Sequence, residues 1–113
     1  MRISEYDQKQ NYLGAFVYHG FDVRLYGSWV RPWFVLEDVK RAAGLPEETQ
    51  APQDRKRHMT EFGWLVDELG LYMLLIEAGT PQAMQMAKRV MEDFMPEVRR
   101  YRGMKNRTVV EKS

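Results

Sequence analysis

From Leu13 the chain alternates, with Leu13, Ala15 and Val17 on one side and Phe16 and Tyr18 on the other, until His19-Gly20. Phe21, Val23 and Leu25 then alternate with Asp22, Arg24 and Tyr26 up to Gly27-Ser28, and Val30 to Val35 is a third apolar run. Short period-two runs separated by Gly-containing pairs predict an antiparallel meander over residues 13–35. Pro32 cannot donate to a ladder, which assigns it to a sheet edge or a strand start.

The period changes at Glu37. Glu37 and Asp38 suit the positive end of a helix, Val39, Ala42 and Ala43 mark its buried side, and Gly44 stops it. Residues 46–60 carry two prolines and almost nothing apolar, which predicts a loop with room for one helical turn. Trp64-Leu65-Val66 reads as a short strand returning to the sheet. Asp67 suits an N-cap, and Leu71, Leu74, Leu75 and Ala78 form a buried stripe before Gly79.

Thr80-Pro81 is a helix start, a hydroxyl cap followed by proline in the first turn. At about 100° per residue, Ala83, Met84, Met86, Ala87, Val90, Met91, Phe94 and Met95 fall in one half of the wheel over residues 81–95. Pro96 lacks the amide that would bond Glu92, so a kink or a new short helix is expected there. The expected fold is α+β: a small antiparallel β-meander covered on one face by three to four helices. One domain over residues 12–103 is expected, with flexible ends at 1–11 and 104–113.

The 44% hydrophobic content in 113 residues is that of a single folded domain. No cysteine is present, which removes disulfides, thiolate metal sites and cysteine nucleophiles. His19 and His58 have no partner at ligand spacing, and no phosphate loop or nucleophile elbow is seen. No enzyme, cofactor or metal is therefore expected. No apolar run approaches the roughly 20 residues of a membrane helix, so a soluble, cytoplasmic protein is expected.

Net charge is only +1, but it is unevenly distributed. In residues 98–113, Arg99, Arg100, Arg102, Lys105, Arg107 and Lys112 stand against Glu111 alone. A second cluster, Arg55-Lys56-Arg57, falls in the expected loop, and Lys88 and Arg89 project from the polar side of the long helix. Converging Lys and Arg are what phosphate binding requires, and a solvated surface is the alternative. The candidate nucleic-acid contacts are therefore Arg55, Lys56, Arg57, Lys88, Arg89, Arg99, Arg100, Arg102 and Lys105. Trp33 and Phe34 read as core, with an exposed binding aromatic as the alternative, and Tyr72 reads as half-buried with its hydroxyl satisfied. The methionine stripe Met84, Met86, Met91 and Met95 reads as core, with an adaptable Met-rich binding face as the alternative.

An ordered set of positions carries a resemblance: Trp33, Phe34, Asp38 and Val39; Glu68, Gly70, Leu71 and Tyr72; Pro81, Ala83 and Val90; then Met95, Pro96, Arg99 and Gly103. In this order and spacing the chain resembles, over about residues 13–103, the N-terminal Bro domain of phage antirepressors and of Bro proteins in large DNA viruses. It departs from that pattern at Met86 and Arg89, where the family commonly has Phe and Trp on the long helix. The family's usual C-terminal partner domain does not follow within these residues, which fits either a stand-alone domain or a fragment of a longer antirepressor. The resemblance implies an α+β domain associated with DNA binding, hence a regulatory protein whose partner is duplex DNA. The competing expectation is a protein-binding inhibitor that grips a repressor or a host defence complex. A homodimer stays open.

Overall fold

The first two strands, β1 (Tyr12–Tyr18) and β2 (Phe21–Gly27), form an antiparallel hairpin in which Phe16 faces Val23. Its connection, His19-Gly20, has φ of +51° and +83°, the positive values at both positions that a two-residue type I′ turn needs. Strand β3 (Pro32–Val35) adds beside β2, and Pro32 opens it as the missing donor requires. The computed structural model describes residues 12–59 and 63–100. The ends expected to be flexible lie outside the described residues.

Chain direction changes at α1 (Leu36–Ala43), which ends at Gly44 in the left-handed conformation while the Leu45 amide donates 2.8 Å to the Lys40 carbonyl. A 3₁₀ turn (Gln53–Arg55) follows, then β4 (Lys56–Met59) and β5 (Gly63–Asp67). The sheet is five-stranded and antiparallel throughout, in the order β1-β2-β3-β5-β4. Strand β4 corrects the expectation of a loop over 46–60; only the helical turn was legible. Lys-Arg-His carries no apolar alternation, and its strand conformation comes from pairing, with Lys56 opposite Val66 and Arg57 opposite Leu65. A charged strand at a sheet edge is also how proteins keep such edges from pairing with other chains.

Two helices follow, α2 (Glu68–Ala78) and α3 (Pro81–Arg89). Both caps are as expected: Asp67 Oδ1 accepts the Gly70 amide at 2.8 Å and Thr80 Oγ1 accepts the Ala83 amide at 3.1 Å. Strand residues Phe16, Tyr18, Val23, Leu25, Phe34 and Val66 bury against Val39, Leu71, Leu75, Met86 and Val90 from the helices. By alternation Val35 and Leu65 point to the opposite sheet face, where they form a second buried cluster with Tyr26, flanked by Trp33. Among the described residues, no helix is long and apolar enough to cross a membrane.

The long helix departs from a regular wheel. Val90–Phe94 forms a π turn, in which the Met95 amide donates to the Val90 carbonyl five residues back, and helical structure continues over residues 95–100. The wider turn carries the chain past Pro96, which has no amide to give and whose ring would crowd a regular α-turn. One extra residue rotates everything after it back by about 100°. Met95 and Val98 therefore come to the buried side, Val90 is fully buried and Phe94 is half-buried. Met84 and Met91, expected in the core, are exposed because they lie at the flank of the stripe centred on Ala83, Met86, Ala87 and Val90. Ala78 is likewise exposed, at the last position of its helix.

At Gly70, α2 comes close to the segment before β4. A Cβ there would stand 2.7 Å from the Arg55 Cβ and 3.2 Å from the Arg55 carbonyl oxygen. Gly→Ala inside a helix normally stabilises by up to about 1 kcal/mol. Here the sign is expected to reverse, with Gly70→Ala melting below the parent protein in a thermal denaturation experiment.

Candidate nucleic-acid interface

The site grows from the turn that joins β2 to β3. The Arg31 amide donates to the Ser28 carbonyl and to Ser28 Oγ, both at 3.1 Å, which holds Arg31 at the mouth of the turn. Gly27 has φ +105°, and a Cβ on it would meet Trp33 Cδ1 at 2.7 Å and the Arg31 carbonyl at 2.9 Å. A glycine is therefore needed both for the backbone and for the space the indole fills. Two guanidinium groups lie over that indole, Arg31 at 4.9 Å and Arg57 at 5.7 Å from the ring centroid. Gly27, Ser28, Arg31, Trp33 and Arg57 together line an open pocket.

Asp67, opposite Trp33 in the β3–β5 ladder, anchors the other side. Asp67 is buried, 4% exposed; its Oδ2 accepts from Arg31 Nη2 and from Arg55 Nη1, both at 3.2 Å, while Oδ1 caps α2. The next residue, Glu68, accepts from the Tyr72 hydroxyl at 2.7 Å and from Arg99 Nη2 at 3.3 Å. Burial pushes the Tyr72 hydroxyl pKa up, and the bond to Glu68 pushes it further, with Arg99 opposing. Tyr72 thus stays a neutral donor that fixes Glu68 in place. The expectation of a half-buried, hydrogen-bonded Tyr72 is met.

The cationic candidates separate into groups. Arg55 and Arg99, 44 positions apart, are held by the consecutive acids Asp67 and Glu68, and Arg57 joins them through Trp33. Strand alternation sends Lys56 to the other sheet face, where its Nζ lies 4.3 Å from the centroid of Trp64 beside the His58 ring. Arg100 pairs with Glu97 one helical turn away. Arg89 pairs with Asp93 at 3.1 Å and lies over Tyr18 on β1, the sheet edge opposite β4; Lys88 precedes it on the exposed side of α3. Lys88 and Arg89 therefore do not join the surface around Trp33. Arg102 and Lys105 lie outside the described residues.

Sequence reasoning missed Arg31 and read Trp33 as core, with an exposed binding aromatic as the alternative. Trp33 is only partly buried, whereas its neighbour Phe34 is fully enclosed. The signal was present: Arg31 and Trp33 are two apart where a strand begins, so alternation brings them to one side. The acids Glu37 and Asp38 stay off this surface, Glu37 paired with Lys40 and Asp38 buried against Arg24. Asp67 and Glu68 are the unexpected acids inside it. Among the described residues, no group of three or more His, Asp or Glu side chains is arranged to hold a metal ion. No protein-family model, curated protein or solved structure matches the chain.

Proposed function

We propose that this chain is a non-enzymatic regulatory protein of viral or prophage type, resembling the Bro N-terminal domain, that binds duplex DNA and acts in transcriptional control. Its site of action is the cytoplasm of a bacterial or infected host cell. One observation carries the reading: cations remote in sequence, Arg31, Arg55, Arg57 and Arg99, gather around Trp33 and the β5–α2 junction. Phosphate recognition needs such convergence, and isolated surface charges do not require it.

The test is a pair of double variants titrated with duplexes of unrelated sequence. Arg55→Ala/Arg99→Ala is expected to weaken binding to all of them alike and to flatten the salt slope by about one unit per lost phosphate contact. Lys88→Ala/Arg89→Ala is expected to leave both affinity and slope near those of the parent. Equal losses from the two pairs would mean that no localised surface exists.

A second reading, a protein-binding inhibitor of a repressor or host defence complex, has one observation in its favour. On α2, Leu69, Met73 and Ile76 are 48%, 44% and 54% exposed and follow each other at helical spacing on one outward stripe. Absence of DNA binding tighter than about micromolar at low salt would give this stripe precedence.

A further inference from the structure

We infer that Arg31, Trp33 and Arg57 form a subsite for one phosphodiester group, and that Asp67 is the internal counter-ion which the phosphate displaces from Arg31. The inference rests on the DNA-binding reading for its ligand, and it adds a specific seat and a built-in competitor to it. Both guanidinium groups lie over the same indole, so they are held at one place without spending their hydrogen-bond donors on the ring. Arg57 is exposed, has no carboxylate at ion-pair distance among the described residues, and lines one pocket with Arg31, Ser28 and Gly27.

Arg31 differs. Its side chain is 60% exposed, yet one of its terminal nitrogens is 3.2 Å from Asp67 Oδ2. That oxygen serves Arg55 at the same distance, so it holds two cations with one lone-pair system. The other oxygen, Oδ1, is occupied by the Gly70 amide at 2.8 Å, which fixes the carboxylate and prevents it from following a departing arginine. A phosphate arriving over Trp33 offers Arg31 two oxygens in the bidentate geometry that Asp67 cannot provide. Arg31 then exchanges a shared carboxylate for a phosphate, while Arg55 keeps Asp67. Binding at this seat is a competition, and Asp67 sets its threshold.

The competition gives Asp67→Asn an unusual expected sign. Asparagine retains the side-chain oxygen that caps α2, so folding survives, but it no longer opposes the phosphate with charge. Asp67→Asn is expected to bind a short DNA duplex several-fold more tightly than the parent, whereas Arg31→Ala and Arg57→Ala bind about tenfold more weakly and each flatten the salt slope by about one. A folded Asp67→Asn protein with unchanged or weaker affinity overturns the inference, as does an Arg57→Ala protein with the parent's salt slope. Either result with salt-dependent duplex binding intact leaves the DNA reading standing. If the parent binds no duplex, titration with inorganic phosphate decides. A saturable tryptophan emission change, absent in Trp33→Phe and in Arg57→Ala, supports the subsite; no such change overturns it.

Discussion

Replacing Phe34 by alanine is expected to destabilise the protein by about 3–5 kcal/mol, a large part of what a domain of this size possesses. Phe34 is 0% exposed and sits on a central strand, opposite Leu25 on one side and Val66 on the other. Its ring centroid is 6.3 Å from that of Phe94 in an edge-on arrangement, so it joins the sheet to the π turn of the last helix. Neighbours on a strand cannot collapse into the void, because the ladder on both sides fixes their backbones. Chemical denaturation should show the loss as a lowered midpoint with an unchanged slope. A Phe34→Ala protein that unfolds like the parent would remove Phe34 from the core.

The second large effect is expected from Asp38. Its Oδ2 accepts the Arg24 amide at 3.0 Å and Arg24 Nε at 2.7 Å; its Oδ1 accepts Arg24 Nη2 at 3.0 Å and Arg41 Nη1 at 3.3 Å. The last β2–β3 rung is Leu25–Phe34, so the Arg24 amide lies just beyond the ladder and the carboxylate takes the place of the departing strand. Asp38→Ala is expected to cost about 3 kcal/mol, the lower end for breaking a buried charged pair, since Arg24 retains some access to solvent. Burial pushes the Asp38 carboxyl up, but the hydrogen bonds from the Arg24 side chain and backbone, the Arg24 charge and Arg41 outweigh it and hold the pKa below the ordinary aspartate value. A folded pKa below the unfolded one means the contribution is complete above the unfolded value and disappears as pH falls through the folded value. The stability gap between the parent and Asp38→Asn should therefore narrow in strong acid. A gap that widens there would contradict the pairing.

Local signals explain which parts of this architecture could be read in advance. The β1–β2 hairpin carries its alternation and its turn within 16 residues, and Asp67, Thr80, Gly44 and Gly79 act on backbone groups at most a few positions away. Strand β4 could not be read, because Lys56, Arg57 and His58 owe their conformation to partners on β5 and not to their own pattern. The π turn was hidden for a different reason: a wheel assumes constant rotation, and the burial of Met95 together with the exposure of Met91 reveals the inserted residue only once both are seen.

The candidate site divides along the same line. The two cationic stretches are plain in the sequence, but their convergence depends on Asp67 and Glu68 closing contacts over 12 and 31 positions. Arg31 stood alone in a turn and acquired a role only through Trp33 and Asp67. Arg89 looked equivalent to the others until its contact with Tyr18 set it at the far edge of the sheet.

The convergence of Arg31, Arg55, Arg57 and Arg99 is tested most directly by titrating the parent protein with a duplex across a salt series. A linear fall of log affinity with log salt is expected, with a slope between about −2 and −4, since each phosphate neutralised contributes about −0.9. A slope near zero, or no binding tighter than about micromolar at low salt, would contradict it.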